Sequence, residues 1–256
     1  SDGYTVGTQT ESNNGNMVAW NWKAGGSASS NTNGSITSSV SANPSAGFSI
    51  VTYTSTTGTI GHGLSQVPDM IIQKARNVTD QWTVGHKDLN AGSNAWNYGI
   101  PLNVTTATQT NSGFWNNTAP TSSVFSNGSW DNGYTKVAYC FHSVDGYSKV
   151  GTYVGNGNAN GPFVHCGFRP AFVMYKNTSG TGNWGMLDNE RNTYNPNDDW
   201  MAANLSNTES NESNRLLDFL SNGFKARGTN ADVNTSGHSY IFLAFAESPF
   251  KHSNAR

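Results

Sequence analysis

The chain has 256 residues, charged side chains make up only 12 % of it, and its formal net charge is −2. Ordinary domains carry roughly 25 % charged residues, and no Lys/Arg cluster supplies the electrostatic footprint of a duplex nucleic-acid binder or of an anionic-membrane binder. Nucleic acid and membrane are therefore set aside as partners, and the polarity comes from Asn, Ser, Thr and Gly, which make a neutral, hydrogen-bonding surface.

Residues 1–16 are polar and rich in Gly and Asn. Residues 17–23 alternate well enough to predict a strand with Trp20 and Trp22 on one face, ended by Gly25-Gly26. Residues 27–45 are low-complexity Ser/Thr/Asn, which by itself buries too little apolar surface to offset its ordering entropy. They read as a linker or long connection, with Ile36 and Val40 leaving room for an edge strand. In a first half, strands are predicted near 48–54, 70–74, 82–86, 98–104, 123–125 and 135–141. In a second half they are predicted near 147–154, 163–166, 172–176, 184–187, 200–205, 216–220 and 240–246. The helix candidate at 209–219 competes with a strand and carries less weight. The apolar run 241–246 is far shorter than the roughly 20 residues that cross a bilayer, and the N-terminus lacks a basic-plus-apolar signal pattern. A soluble chain, whole or a fragment, is the expectation.

Residues 47–82 and 146–184 read as two copies of one pattern. The first has Gly47-Phe48-Ser49, Thr52-Tyr53, Gly63, Pro68, the apolar run Met70-Ile71-Ile72, Lys74 and Trp82. The second has Gly146-Tyr147-Ser148, Thr152-Tyr153, Gly167, Pro170, Phe172-Val173-Met174, Lys176 and Trp184. In both, Lys lies six residues after Pro and Trp fourteen after it. Residues 124–128 match 219–223, and 137–141 match 241–245. A repeat decides how a chain is parsed. Here it predicts an all-β fold: an internally duplicated antiparallel β-sandwich of two similar halves packed together, with 1–46 as an N-terminal strand and connection, 47–145 as the first repeat and 146–256 as the second. Asn127-Gly128 and Asn222-Gly223 suit type I′ hairpins, whose central residues need positive φ.

What the copies share is Gly, Pro, Tyr, Trp and apolar residues, the types that fix turns and fill cores. Lys74 and Lys176, each after an apolar run, are expected to be solvated or salt-bridged. Glycoside hydrolysis needs two carboxyl groups about 5–10 Å apart. The candidates Asp80, Asp88, Asp188, Glu190, Asp198, Asp199, Glu209, Glu212 and Glu247 offer no pair at equivalent positions. The dense polar stretches 188–192 and 195–199 lack the alternation and glycine of a calcium-binding hand and read as turns that bond their own backbone. No metal and no cofactor is expected. His62, His86, His142, His165, His238 and His252 show no metal-ligand spacing, and no G-x-S-x-G elbow is present. Cys140 and Cys166 read as buried thiols, with a disulfide between them unsupported. Trp96, Trp115, Trp130 and Trp200 sit among Asn, Ser, Gly and Asp in loop-like segments. They are candidates for stacking on a sugar ring or a partner, and equally for capping the sandwich ends. The loops without a counterpart, 89–97, 114–122 and 188–200, are where a specific function is expected.

The phrases Val18-Ala19-Trp20-Asn21-Trp22-Lys23-Ala24-Gly25-Gly26, Ala46-Gly47-Phe48-Ser49-Ile50-Val51, Phe114-Trp115-Asn116-Asn117-Thr118-Ala119-Pro120-Thr121-Ser122 and Gly161-Pro162-Phe163-Val164-His165-Cys166-Gly167-Phe168-Arg169-Pro170 resemble a domain of uncharacterised function in virion proteins of marine bacteriophages, where it often follows a laminin-G-like sandwich. The resemblance covers most of the chain from about Met17. It implies a non-enzymatic structural protein on the virion surface, a tail fibre or capsid fibre, assembled in the host cytoplasm and serving host attachment or virion assembly. The implied partners are further copies of itself, other virion proteins and host cell-surface glycans. It carries over no catalytic residue. The alternatives are a tail-spike-like polysaccharide depolymerase and a carbohydrate-binding module.

Overall fold

The computed structural model describes residues 5–9 and 17–248. Most of the polar stretch 1–16, and His252, lie outside these residues. The first half contains β1 (Ser29–Asn31), β2 (Ser38–Asn43), β3 (Phe48–Thr54), β4 (Gly58–Gly61), β5 (Met70–Ala75), β6 (Thr83–His86), β7 (Tyr98–Pro101), β8 (Gln109–Thr110), the short helix α1 (Ser112–Trp115), β9 (Val124–Asn127) and β10 (Thr135–Phe141). The second contains β11 (Ser148–Val154), β12 (Phe163–His165), β13 (Pro170–Asn177), β14 (Trp184–Asp188), β15 (Asp199–Ala202), β16 (Ser210–Asn211), β17 (Leu217–Leu220), β18 (Gly223–Ala226) and β19 (Ser239–Ala246).

All ladders between these strands are antiparallel. The larger sheets run β1-β2-β3-β10-β5-β6-β7-β8 and β11-β19-β13-β14-β15-β16, and the smaller ones β4-β9 and β12-β18-β17. From β3 onward the first order is the order of the second, strand for strand. Register agrees as well: Lys136 lies opposite Tyr53 as Tyr240 lies opposite Tyr153, and Val137 opposite Lys74 as Ile241 opposite Lys176.

Alternation along the strands sets the layers. Phe172, Met174, Ile241, Leu243 and Phe245 share one face of the second large sheet and join the core of the first half, with Phe141 and Phe245 rings 6.3 Å apart. On the opposite face, Val173, Tyr175, Tyr240, Phe242 and Ala244 pack against Val164, Phe219 and Phe224 of the small sheet. Tyr53 likewise turns away from the interface and meets Phe125 of β9 edge to face at 5.9 Å. The stacking order is therefore small sheet, large sheet, large sheet, small sheet.

Residues 17–23 are extended but pair with no strand among the described residues. Their two indoles do share a face: Trp20 packs on Phe172 at 5.3 Å, and Trp22 reaches Phe141 at 6.4 Å and Phe245 at 5.4 Å, across the seam between the large sheets. Residues 27–45 are not a linker. They form β1 and β2, because the open edge of β3 supplies backbone partners and short serine side chains reach carbonyls nearby, Ser38 Oγ to Gly61 at 3.0 Å and Ser41 Oγ to Gly26 at 2.7 Å. Residues 29–31 and 38–43 thus contribute to the sheet of the first half. No helix forms at 209–219, where β16 lies and β17 begins.

The Asn-Gly expectation fails at both places, since none of Asn127, Gly128, Asn222 and Gly223 has positive φ. Leu220 pairs with Gly223, leaving Ser221 and Asn222 as the turn, and Asn127 is buried. Register also corrects the match of 124–128 with 219–223: Phe125 opposes Ile60 as Phe224 opposes Val164, so β9 corresponds to β18.

Candidate functional site

Three of the four candidate tryptophans present no face to a ligand. Trp115 is fully buried, Trp96 and Trp200 are each 6 % exposed, and Trp96 meets Trp115 edge to face at 5.3 Å. The pair sits directly over Gly85, where a Cβ would lie 2.5 Å from Trp96 and 2.7 Å from Trp115. Trp200 donates from Nε1 to Tyr175 Oη at 3.1 Å and is covered by the Arg215 guanidinium at 4.7 Å. Loop-like composition misled here: small polar residues let the backbone turn sharply while the indole folds inward to exclude water. Trp130 is half-buried, against Phe114 at 5.5 Å, with Nε1 donating to Asp80 Oδ2 at 2.8 Å.

The dense acidic stretch 188–199 does not converge either. Asp188 is 4 % exposed and accepts from Arg191 Nε at 2.7 Å and Trp20 Nε1 at 3.3 Å, while Arg191 Nη1 reaches Glu209 at 2.7 Å. Asn192 Oδ1 accepts from the backbone N–H groups of Asp198 and Asp199 at 2.8 and 2.7 Å, and Glu190 is exposed. Burial, then Glu209 and Asp198, push the Asp199 carboxyl up. Lys176 is fully buried and Lys74 half-buried, and neither forms an ion pair among the described residues. Lys74 Nζ donates to the carbonyls of Ala75 and Val78, and Lys176 Nζ to those of Thr105 and Gly182, so each ammonium closes the loop that follows its strand.

The carboxylates that do meet are Asp80 and Asp131, which share a hydrogen bond beside Trp130 and Lys136. Lys136, 1 % exposed, donates to Trp130 O at 2.9 Å and Asn127 Oδ1 at 3.2 Å and stands 3.8 Å from Asp131. Burial, then the hydrogen bond with Asp80, raises the Asp131 carboxyl to about 6, against the pull of Lys136. For Asp80 burial also acts upward, but the hydrogen bonds from Asp131, the Gln81 backbone and Trp130 outweigh it and leave the carboxyl low. Desolvation brings the Lys136 ammonium down to about 8. Carboxyl groups in hydrogen-bond contact share a proton, which holds one carboxyl up and the other down. Sequence reasoning did not single out Asp131. Its one legible signal is a carboxylate directly after Trp130, in the turn that enters the strand bearing Lys136.

An open concavity of about 410 Å³ lies on the face of the first large sheet that turns toward the second, at the end where β2, β3 and β10 meet. Ser30, Ser39, Thr52, Thr54 and Thr135 share that face by register, and the exposed Arg76 stands at its rim. Alternating hydroxyl side chains on adjacent strands give a dense array of donors and acceptors, with the cationic Arg76 and Lys136 also among the lining residues.

A family model described as "Domain of unknown function (DUF7483)" matches residues 1–249. The chain belongs to that family. No curated protein and no solved structure matches it. In this DUF7483 domain both cysteines are free and buried, and desolvation pushes each thiol up to about 12. Among the described residues, no three His, Cys, Asp or Glu side chains come together as metal ligands. His62 is buried, with Nε2 3.1 Å from the Thr121 carbonyl, and holds the turn at Gly63.

Proposed function

We propose that the domain is a non-enzymatic structural module displayed on the surface of a bacteriophage particle, in a tail or capsid fibre, and that it helps attach the particle to polysaccharide on the host surface. The observation that carries this reading is the hydroxyl-lined concavity. It suits a neutral polyhydroxylated ligand, whose own hydroxyls both donate and accept, while Arg76 adds a fork of donors for ring oxygens or an acidic sugar. The neutral surface and the resemblance of the Trp20, Phe48, Trp115 and Gly161 phrases to virion domains support it further. The indoles are withdrawn from the role: glycan contact passes from Trp96, Trp115 and Trp200 to the hydroxyl face.

The test is a glycan-array screen of the purified domain beside the double variant Thr52→Val/Arg76→Ala. Wild-type protein is expected to retain a defined class of surface polysaccharide, and the variant to bind it at least about tenfold more weakly, a loss of about 1.4 kcal/mol. Release of new reducing ends from the bound polysaccharide would refute the non-enzymatic reading. Equal binding by the variant would refute the site. The position of the domain in a map of the intact particle tests the display on a virion separately.

A further inference from the structure

The two halves differ at one sheet edge. In the first, β3 has β10 on one side and β2 on the other, and residues 38–43 run along it. That segment, with Ile36 just before it, also engages β4: Ile36 bridges Ile60 and donates its N–H to Thr59 O at 2.9 Å, and Ser38 Oγ donates to Gly61 O at 3.0 Å. One extended segment thus closes the side of the half by touching the large sheet and the small sheet at once.

In the second half the corresponding strands are β11 and β12, and among the described residues each has a ladder partner on one side only, β19 and β18. The chain between β10 and β11 is a tight turn in which Val144 bridges Ser148, so no stretch is left to run back along the edge. Alternation decides which backbone groups face outward. Ser148 exchanges bonds with Val144, and Val150 N–H donates to Ser143 Oγ at 3.0 Å. The next two outward residues, Thr152 and Val154, have no backbone partner on that side among the described residues, and neither do Phe163 and His165 across the gap. The gap is a groove of about 370 Å³, with Val154 56 % and Phe163 46 % exposed along its walls. Exposed edges with unpaired N–H and C=O groups and apolar flanks are templates for another strand.

We propose that this groove is a docking site for an extended segment of another polypeptide, which adds antiparallel to β11 and follows the route that residues 36–39 take in the first half. The occupant has uncharged, small and β-branched side chains. Its backbone bonds Thr152 and Val154 on one side and Phe163 and His165 on the other, and its alternate side chains cover Val154 and Phe163. Self-pairing of two β11 edges fits less well, since it would use only Thr152 and Val154 and leave the edge of β12 open. The groove is separate from the hydroxyl-lined concavity, and its occupancy does not depend on what that concavity binds.

The test titrates the purified domain into a fluorescein-labelled peptide with the sequence of residues 33–43, followed by anisotropy and amide exchange. Saturable binding is expected, with protection of the Thr152 and Val154 amides. Val154→Pro, which removes an outward N–H from an edge where proline is tolerated, and Phe163→Glu are each expected to weaken it at least tenfold while keeping the wild-type far-UV spectrum and melting temperature. Absence of saturation at concentrations on the order of 1 mM, or binding without protection of those amides, overturns the proposal, as does binding unchanged in both variants. A wild-type dimer that Val154→Pro dissociates would give the edge to a second copy and overturn the choice of occupant.

Discussion

The two halves answer the same packing problem with different residues. Where Val51 lies opposite Ala138 in the first, Gly151 lies opposite Phe242 in the second, and a Cβ on Gly151 would stand 2.9 Å from that ring. Where Tyr53 lies opposite Lys136 in register, Tyr153 lies against Tyr240 with rings 4.8 Å apart and nearly parallel. Beneath Tyr53 the first half gathers a polar hub: Asn127 Oδ1 is 3.2 Å from Lys136 Nζ and 3.3 Å from Tyr53 Oη, and its Nδ2 reaches Ser55 Oγ and Thr56 O. The second half lets the tyrosines reach carbonyls directly, Tyr153 to Val233 at 2.8 Å and Tyr240 to Ala231 at 2.9 Å. Shared strand order therefore requires equal layer volume and satisfied polar groups, not equal residues.

The volume exchange is the sharpest place to break this comparison. Phe242→Ala should cost about 3–5 kcal/mol, read as a lower midpoint in urea. Gly151→Val alone should also destabilise, yet in the Phe242→Ala background it should restore part of the loss, because it recreates the arrangement of the first half. A double variant no more stable than Phe242→Ala would show that the layers are not interchangeable.

Next in size is the hub. Asn127→Ala leaves the Lys136 ammonium and the Ser55 hydroxyl short of partners in a buried setting and should cost about 2–3 kcal/mol. The second half keeps its own buried amide at Tyr240, Asn177, which this change leaves intact, so amide exchange should rise in β9 and β10 before β18 and β19.

Smaller effects follow pH. Desolvation lowers Lys136 and Lys176 to about 8 from 10.5. The unfolded chain then binds more protons than the folded one above pH 8, and stability rises with pH across that window. Lys176→Met should reduce the rise measured between pH 8 and about 9.5, below the ionisation of unfolded tyrosines near 10. Asp131 is raised to about 6 from 3.8, so the folded chain keeps a proton that the unfolded one has lost, and this contribution to stability is lost as pH climbs from about 4 to 6. Asp131→Asn should flatten that part of the profile, the smallest of the four changes.

Strands with an apolar face of their own were legible in the chain. The spans expected at 48–54 and 135–141 coincide with β3 and β10, and those expected at 70–74 and 184–187 fall within β5 and β14. β1, β2 and β4 were less so, since Ser, Thr and Gly carry no hydrophobic period. They become strands only because a neighbouring edge pairs their backbone. Function-bearing groups were harder. Trp96 and Trp115 looked like loop aromatics because their sequence neighbours are polar, whereas burial depends on what packs across from them. Asp80 and Asp131 stand far apart in the chain, and nothing local marks them as partners.

By itself, then, the chain determined the all-β class, the spacing from Pro68 to Trp82 that returns from Pro170 to Trp184, and the neutral hydroxyl- and amide-rich surface, because these follow from residue type and period. Tertiary structure alone decided that the indoles turn inward, that Asp80 meets Asp131, that hydroxyls of β1, β2, β3 and β10 line one concavity, and that the edge of β3 is covered while that of β11 is open. Each of these depends on which distant segments are brought together, and short-range pattern carries no record of that.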